Sequence, residues 1–281
     1  MATLITGAMG FIGSHLADYL REQGHTNLVS IDNLCSGKLE NNPDILNFNA
    51  DLANFDKVLE IFEQVKPDYV FHLGAVSQTP WAVQKPLEAN ATNVTGSLNV
   101  LEASRRTNVK KVVLASSNIV YASSTLYRST KLAMELHAEV YSTLYNLPTV
   151  CLRFSNVAGS KRQHENNVLA ALAKSKRETG RITITGDGSQ TRNFTYVMDV
   201  CEALWLASQS EVRGTELDIM HTKTSELNEI AKMYDCPIDY IEDRKGDIKH
   251  LKMGIGPEKA KELIGFEAKT DLTEYIKVYT E

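Results

Sequence analysis

The sequence has little that would suggest a metal site or a disulfide-linked scaffold. Its four cysteines lie far apart in the chain, form no CxxC pair and show no paired spacing with histidine. Zinc knuckles and disulfide frameworks both require closer and more regular spacing. We therefore expect reduced thiols at Cys35, Cys151, Cys201 and Cys236, and no bound metal.

The sequence also lacks an excess of positive charge. Thirty Lys and Arg residues stand against 35 Asp and Glu residues, so the formal net charge is -5 at pH 7. Proteins that bind nucleic acid present a basic face to the phosphate backbone. This charge balance argues against a nucleic-acid partner.

No long apolar run is present near the start of the chain. Residues 1–17 are rich in apolar side chains, but three glycines interrupt them. A membrane-spanning helix needs about 20 consecutive apolar residues, and a signal peptide begins with a Lys- or Arg-led head that is missing here. We interpret this segment as part of a folded domain and expect a cytoplasmic protein that does not bind a membrane.

The composition is otherwise that of an ordinary globular protein. The 281 residues are 43% hydrophobic and 23% charged, which argues against disorder and fibrous repeats. At about 150 residues per domain, one large domain and two modest ones are both possible. No internal repeat, low-complexity segment or Pro-rich linker marks a boundary.

Short apolar runs alternate with amphipathic stretches in the first part of the chain. The runs at 2–6, 28–32, 68–75, 111–117 and 149–154 predict strands, with helical patterns between them. This alternation indicates a parallel sheet covered on both faces. After Gly159 no regular alternation resumes, which predicts a smaller appended domain.

Three glycines lie between the first predicted strand and the first predicted helix. Gly7, Gly10 and Gly13 have the spacing GxxGxxG, which arises by chance about 0.05 times in a chain with 16 glycines. Glycines allow the backbone to approach a pyrophosphate, and the amides and dipole of the helix N-terminus attract its charge. The motif predicts a dinucleotide site.

Two carboxylates are candidates for binding the adenosine half of that dinucleotide. Asp32 closes the second predicted strand, where a carboxylate can accept both ribose hydroxyls and would repel a 2′-phosphate. We therefore expect NAD rather than NADP, although Lys38 could soften this preference. Asp51 ends the run ILNFNAD, and it either faces the adenine amine or lies in an exposed turn.

A serine, a tyrosine and a lysine are candidates for catalysis. Tyr127 and Lys131 are four residues apart, so both lie on one face of the predicted helix. About one such pair is expected by chance in a chain with 11 tyrosines. The helix follows the strand that ends in Ser117, however, and strand ends point toward the cofactor in a doubly wound sheet. The alternative is an exposed Tyr and Lys on a solvated helix.

Further segments complete an ordered pattern. In chain order they are TGAMGFIGSHLADYL, HLGA, NVTGSLNVLEA, LASSNIVYA, YRSTK, RFSNVAG and GDGSQTRNFTYVMDV, with a weaker match at DRKGD. In these segments the chain resembles, over nearly its whole length, the extended short-chain dehydrogenases/reductases of the nucleotide-sugar epimerase and dehydratase family, and especially its UDP-glucose 4-epimerase-like members.

This resemblance implies a fold. It is an α/β fold with a Rossmann-type doubly wound parallel sheet and a small C-terminal substrate-binding α/β lobe. Residues 1–156 would form the NAD-binding domain and residues 157–281 mainly the substrate-binding lobe, with residues of about 193–222 returning to the first domain. The resemblance also implies a homodimer formed by helices through 94–106 and 128–145.

The resemblance further implies roles for individual residues. The catalytic residues would be Ser117, Tyr127 and Lys131. NAD would contact Gly7, Gly10, Phe11, Ile12, Gly13, Asp32, Asn33, Ser36, Asp51, Leu52, Leu73, Gly74, Ala75, Asn93 and Lys131. A nucleoside-diphosphate sugar, a UDP-hexose in particular, would contact Ser117, Asn118, Tyr127, Asn156, Asn167, Val168, Arg192, Arg244 and Asp247.

The two arginines would hold the diphosphate of that sugar. Guanidinium groups match phosphate oxygens in geometry and charge. Without the resemblance, Arg192 and Arg244 would be interpreted as surface charges. Apolar residues on the helices of the implied dimer, Leu98, Leu101, Met134 and Leu136, would suit a buried core equally well.

The residues after the serine indicate the type of reaction. Family dehydratases and decarboxylases resemble one another in placing acidic groups there, whereas this chain has Asn118 and Ile119. Neither side chain can take up a proton from carbon at neutral pH. The simplest compatible chemistry is reversible oxidation at one carbon, which in this family means 4-epimerisation.

Other functions remain open at this point. They are a nucleotide-sugar reductase or dehydrogenase that uses NAD(P), a 4,6-dehydratase, and a dinucleotide-binding regulator with weak activity. Only ten positions separate Ser117 from Tyr127, fewer than in relatives, and the stretch from Gly159 to Val168 is also brief. These short segments predict an open or unusual substrate site.

Overall fold

Seven parallel strands form the central sheet in the computed structural model of this chain, which describes residues 1–77, 79–121, 125–163, 167–242 and 256–280. The strands of these residues are β1 (Thr3–Thr6), β2 (Leu28–Ile31), β3 (Leu46–Phe48), β4 (Tyr69–His72), β5 (Lys111–Ser117), β6 (Thr149–Phe154), β7 (Asn156–Ala158), β8 (Ile182–Thr185), β9 (Thr191–Arg192), β10 (Phe194–Tyr196), β11 (Thr215–Ile219), β12 (Ser225–Glu226) and β13 (Ile238–Ile241).

Helices connect most of these strands. They are α1 (Phe11–Glu22), α2 (Phe55–Val65), α3 (Thr79–Gln84), α4 (Pro86–Asn90), α5 (Gly96–Arg106), α6 (Leu126–Leu144), α7 (Val168–Thr179), α8 (Val197–Gln209), α9 (Leu227–Lys232), α10 (Glu258–Ile264), α11 (Leu272–Tyr275) and α12 (Lys277–Thr280). A π-helical turn at Ala91–Thr95 precedes α5, and 3₁₀ turns lie at Leu39–Asn41 and Asn118–Tyr121.

The strand order of the central sheet is β11-β6-β5-β4-β1-β2-β3. Every neighbouring pair is parallel. The chain runs from β1 outward to β3 and then crosses to β4 on the other side of β1. The loops after β1 and β4 therefore diverge and leave a crevice at the carboxyl ends of the strands. The predicted Rossmann-type doubly wound α/β fold is confirmed.

Helices pack on both faces of the sheet because strand side chains alternate in direction. On one face, α1 and α8 pack together over Phe71 and Val113. On the other face, α2, α5 and α6 cover Val70 and Val112. All four of these strand residues are buried, so the sheet is the interior layer of the domain.

Past Gly159 the chain returns to the central sheet, although the sequence there shows no regular alternation of strand and helix. Helix α8 packs against α1, and β11 pairs with β6 as a seventh strand of the central sheet. The apolar run of β11 is interrupted by Glu216 and Asp218, so its pattern is not that of a buried strand. Strand β3 was also not predicted, because it has three residues and its first, Leu46, is exposed.

A second, smaller core lies in the C-terminal part of the chain. It contains buried residues of α7, β8, α9 and α11, with Tyr234 and Ile230 fully enclosed. The paired strands here are β7 with β10, β8 with β13 and β9 with β12. Within the described ranges, no helix is long and apolar enough to cross a membrane. The same ranges hold no cluster of His, Cys, Asp or Glu suited to a metal ion.

Candidate active site

The turn after β1 brings backbone segments unusually close together. Gly7 has a φ of +75°, and a Cβ at this position would lie 2.8 Å from the backbone nitrogen of Gly74. A Cβ at Gly13 would lie 2.2 Å from the carbonyl oxygen of Gly7. A side chain at either position would therefore force the turn apart. Glycine at positions 7 and 13 is therefore required by the close packing of this turn against the loop after β4 and against α1.

The N-terminus of α1 offers unpaired backbone donors beside this turn. Helix α1 begins at Phe11, its N-cap residue is Gly10, and no side chain caps it. Its first turn also contains no acidic residue. The first N–H groups of a helix carry the positive end of its dipole, so this arrangement suits a pyrophosphate. Phe11 and Ile12 are half-buried against the core of the same helix.

Asp32 lies at the carboxyl end of β2, next to the glycine turn. Its Oδ2 accepts the N–H of Met9 at 3.0 Å and its Oδ1 accepts the N–H of Leu34 at 2.8 Å. Burial raises the pKa of Asp32, and the two N–H donors oppose that rise. Each carboxylate oxygen retains a lone pair for a ribose hydroxyl. Asn33 and Ser36 are exposed in the loop that follows.

The segment after β3 contains a turn and a buried wall residue. Asp51 is exposed, and its Oδ1 accepts the N–H of Ala53 at 2.9 Å, as in an Asx turn. Leu52 is buried, and a Cβ at Gly74 would lie 2.7 Å from its Cδ1. Asp51 therefore lies in an exposed turn. Leu52 packs against Gly74 in the loop after β4.

The loop after β4 is held from two sides. The N–H groups of Leu73 and Gly74 donate to Thr6 Oγ1 at 3.2 and 3.0 Å. Asn93 accepts the N–H of Val76 at 2.7 Å and donates to the Val76 carbonyl at 2.9 Å. Asn93 is buried, so the structure places it behind this loop with its amide bound to protein groups. The next residue after Gly74, Ala75, is half-buried.

The structure brings Tyr127 and Lys131 together at the start of α6. Thr125 caps this helix, because its Oγ1 accepts the N–H of Arg128 at 3.1 Å. Lys131 Nζ lies 5.8 Å from the ring centroid of Tyr127. The same ammonium donates to the carbonyl oxygen of Ala115 at 2.6 Å. Helix α6 is therefore anchored to β5, two residues before Ser117.

Burial shifts the pKa values of both side chains of this pair. It raises the pKa of Tyr127 and lowers the pKa of Lys131 to about 8. A tyrosine that acts as a base near neutral pH requires the opposite shift. In the protein alone, burial therefore disfavours the phenolate of Tyr127. A phenolate at Tyr127 would need positive charge beside it.

Ser117 and the residues after it form a tight turn. Ser117 Oγ accepts the N–H of Ile119 at 3.2 Å. Asn118 and Ile119 are half-buried in the 3₁₀ turn that ends at Tyr121. The turn begins directly after the last residue of β5.

A buried charged network lies beside this turn, and the sequence analysis missed it. We name Ser116, Glu135, Arg153, Tyr121 and Asp218 the Arg153 network. Arg153 donates to both oxygens of Glu135 at 2.8 and 2.7 Å and to the hydroxyl of Tyr121 at 2.7 Å. The Tyr121 hydroxyl donates to Asp218 at 2.9 Å, and Ser116 Oγ donates to Glu135 at 2.5 Å. The network ties β5, α6, β6 and β11 together.

The charge of Arg153 depends on its partners. Burial opposes this charge, but the hydrogen bonds and the charge of Glu135 outweigh it and raise the pKa of the guanidinium. A buried cation requires such a partner. The signal in the sequence was a single arginine inside the apolar run TVCLRF.

The other predicted substrate residues that the structure describes occupy three places in the smaller part of the molecule. Asn156 lies in β7 and donates to the carbonyl of Asn193 at 2.9 Å. Asn167 caps α7 through the N–H of Leu169 at 3.0 Å, and half-buried Val168 begins that helix. Arg192 lies half-buried in β9, where it donates to the Thr191 carbonyl at 2.8 Å. Arg244 and Asp247 lie outside the described residues.

The model of the NAD dependent epimerase/dehydratase family matches residues 3–220 of this sequence. The chain belongs to this family. This epimerase/dehydratase is 32% identical over 305 residues to a UDP-glucose 4-epimerase of Mycolicibacterium smegmatis, a match that covers 98% of this chain and 96% of that protein.

Solved structures resemble this epimerase/dehydratase over its whole length. The crystal structure of a Thermotoga maritima UDP-glucose 4-epimerase with UDP-glucose has a TM-score of 0.93 and 31% identity, covering 100% of this chain and 97% of that one. A Thermus thermophilus UDP-glucose 4-epimerase in complex with NAD has a TM-score of 0.89 and 28% identity, covering 100% and 98%.

NAD is the cofactor of this epimerase/dehydratase. The glycine turn and the uncapped N-terminus of α1 suit its pyrophosphate, and the carboxylate of Asp32 suits a ribose without a 2′-phosphate. The residues present therefore fit this cofactor, and the protein is an NAD-dependent enzyme.

Proposed function

We propose that this protein interconverts the C4 epimers of a nucleoside-diphosphate hexose, a UDP-hexose in particular, through a transient 4-keto sugar. The placement of Tyr127 and Lys131 beside the end of β5 carries this proposal, together with the absence of an acid at Asn118 and Ile119. The similarity to UDP-glucose 4-epimerases over nearly the whole chain supports the substrate class.

The three candidate catalytic residues would divide the work as follows. Bound NAD⁺ supplies the acceptor, and then the donor, of the C4 hydride. Tyr127, as a phenolate, accepts the proton of the sugar 4-hydroxyl and later returns it. Ser117 Oγ donates a hydrogen bond to the 4-oxygen and orients it. Lys131 stabilises the phenolate by its charge and binds the nicotinamide ribose.

The pKa of the phenol sets what Lys131 has to provide. A free tyrosine has a pKa near 10, so a phenolate at pH 7 requires about 4 kcal/mol of stabilisation. Burial of Tyr127 adds to that requirement. The positive charges of Lys131 and of the bound nicotinamide ring would supply this stabilisation of the phenolate. Since the pKa of Lys131 is about 8, its ammonium remains charged at neutral pH.

The segment between Ser117 and Tyr127 is short, so we expect the substrate site beside it to be open. In a 4-epimerase the keto sugar must turn over before hydride returns to its other face. Arg192 and Arg244 would hold the diphosphate while the hexose turns, and Asn156 would contact the sugar nucleotide from β7.

Elimination is a poorer fit to this site. A dehydratase needs an acid and a base beside the carbonyl carbon. In the Arg153 network, Glu135 is bound by Arg153 and Asp218 accepts from Tyr121. Neither carboxylate of this network is therefore placed as an unengaged base.

A scan of nucleotide sugars tests the proposed function. UDP-, GDP- and dTDP-hexoses are incubated with the protein and NAD⁺, and the anomeric proton is followed by NMR. We expect one of these sugars, a UDP-hexose, to be converted to its 4-epimer with no net change in NADH absorbance. Stoichiometric change of the nicotinamide would indicate a reductase or dehydrogenase. If no hexose is converted to its 4-epimer, the proposal is wrong.

We also propose that the protein is a homodimer that uses the outer faces of α5 and α6. Leu98 and Leu136 remain 36% and 61% exposed on these helices. Leu101 and Met134, also considered for this face, are buried in the core instead. Sedimentation should show a dimer that Leu136→Glu dissociates, while a monomeric wild type would contradict the proposal. The cytoplasmic location stays a prediction.

A further inference from the structure

A buried histidine at the end of β4 has no part in the mechanism above. His72 is 3% exposed, and both of its ring nitrogens have partners. Nδ1 lies 2.8 Å from Thr6 Oγ1, and Nε2 lies 2.9 Å from Ser97 Oγ. The ring therefore joins β1, which leads into the glycine turn, to the first turn of α5.

The other bonds of the two hydroxyls determine where the protons lie. Thr6 Oγ1 already accepts the N–H groups of Leu73 and Gly74, so its own proton points to His72 Nδ1. Ser97 Oγ donates to the carbonyl of Asn93 at 2.5 Å, so it accepts from His72 Nε2. The ring is therefore neutral with its proton on Nε2. Burial, which lowers the pKa of His72 to about 3, keeps it so.

The chain of hydrogen bonds continues from Asn93 to the catalytic helix. Asn93 binds Val76 through both of its amide atoms, and its Nδ2 also donates to Thr130 Oγ1 at 3.1 Å. Thr130 Oγ1 in turn donates to the carbonyl of Tyr127 at 2.8 Å. The carbonyl that Ser97 binds and the amide that holds Val76 belong to the same residue, Asn93.

We infer that His72 is a positioning residue that sets the loop after β4 against both the glycine turn and the Asn93 segment. We name Thr6, His72 and Ser97 the His72 relay. It holds Leu73 and Gly74 through Thr6 and supports Asn93 through Ser97. This inference rests on the proposed function, because it gives the loop after β4 the task of contacting NAD.

Two buried serines on α5 offer a matched test. Ser97 and Ser104 each donate to the carbonyl four residues earlier, at 2.5 and 2.7 Å, and both are 1% exposed or less. Ser97 alone of these two also binds His72. Ser97→Ala and Ser104→Ala therefore lose the same bond within the helix, and only the first cuts the relay.

Amide hydrogen exchange measures the relay without any substrate. In Ser97→Ala, the backbone amides of Leu73, Gly74 and Val76 should exchange about fivefold faster than in wild type, as expected when one buried hydrogen bond is lost. In Ser104→Ala they should change less than about twofold. Equal acceleration in the two variants, or none in Ser97→Ala, would overturn the inference.

Affinity for NAD⁺ provides a readout that general destabilisation would not produce. Calorimetry should show about fivefold weaker NAD⁺ binding for Ser97→Ala than for Ser104→Ala. The two variants should have similar melting temperatures. Equal affinities would contradict the inference. If wild type binds NAD⁺ but converts no nucleotide sugar, the proposed function fails, and the exchange comparison still decides the relay.

Discussion

The two sides of the crevice are formed by different kinds of chemical group. Apart from the carboxylates of Asp32 and Asp51, the cofactor side consists of glycine backbone, an uncapped helix end and the neutral His72 relay. The proposed catalytic side, hereafter the catalytic side, consists mainly of titratable side chains: Tyr127, Lys131 and the Arg153 network. A site built from backbone and neutral groups keeps its shape over a wide pH range. The stability of a site built from buried charges depends on the presence of every ion-pair or hydrogen-bond partner and on pH.

The largest expected effect lies on the catalytic side. Tyr127→Phe removes the proposed proton acceptor and should lower the rate of sugar interconversion by at least about a hundredfold. NAD⁺ binding should stay unchanged, because the cofactor side is untouched. The rate is measured by NMR and NAD⁺ binding by calorimetry.

Tyr145→Phe is the matched control, since Tyr145 follows the same helix and is 50% exposed. It should leave the rate unchanged. A Tyr127→Phe enzyme that retains its full rate would favour a different base, and a wild type without turnover would favour a dinucleotide-binding regulator.

Removal of Arg153 should have the largest effect on stability. Arg153→Met leaves Glu135 buried without its guanidinium, and the expected loss is about 3–5 kcal/mol in the free energy of unfolding. Urea denaturation measures it. Adding Glu135→Gln should recover part of this loss, because the unpaired charge is then removed.

Arg213 provides the control for this change. It is exposed and donates to Asn146 at 2.8 Å, so Arg213→Met should cost less than about 0.5 kcal/mol. Equal losses for the two arginines would show that the Arg153 network adds nothing to stability.

Lys131 makes the catalytic side sensitive to pH. Burial lowers its pKa in the folded protein to about 8 from a usual value of 10.5, so the unfolded chain binds more protons between these values. Stability attributable to this lysine should therefore rise from pH 8 to 10.5, by on the order of 3 kcal/mol. The burial penalty is fully present below pH 8.

Lys131→Met should remove this rise and stabilise the protein at pH 7. Denaturation of wild type and variant across that pH range measures the difference, which cancels the titration of other groups. Lys57→Met alters a lysine whose side chain is 44% exposed, and it should keep the wild-type slope. If the free energies of unfolding of wild type and Lys131→Met changed with pH in parallel, burial would not lower the pKa of this lysine.

The smallest expected effect lies on the cofactor side and does not depend on pH. Gly13→Ala places a Cβ against the carbonyl of Gly7, and the turn must shift, at a cost of about 1–3 kcal/mol. NAD⁺ affinity should fall by about tenfold at pH 6 and pH 9 alike. Calorimetry at both values checks this.

Gly180→Ala is its control, because a Cβ at that position meets nothing within 4 Å beyond its own chain neighbours. Its left-handed backbone should cost stability but not NAD⁺ affinity. A loss of affinity that differs between pH 6 and pH 9 in Gly13→Ala would break the distinction between the two sides.

Local spacing made part of this site predictable. The glycine turn and the pair of Tyr127 and Lys131 each lie within a few residues, so their geometry follows from one turn or one helix. The acidic residue at the end of β2 follows from the same fold pattern. The positions of Asn93 behind its loop and of Asp51 in its turn required the structure.

The sequence by itself determined the fold class and the nature of the cofactor site. Alternating runs predict a doubly wound sheet, and glycine spacing at a strand end predicts a dinucleotide turn, because both depend on short-range sterics and periodicity. Only the tertiary structure decided which polar groups are buried and paired. His72 meets a partner 66 residues away, Arg153 meets one 18 residues away, and β11 adds an interrupted run to the central sheet. Burial and pairing of these polar groups arise from packing between distant segments, so no local sequence pattern predicts them.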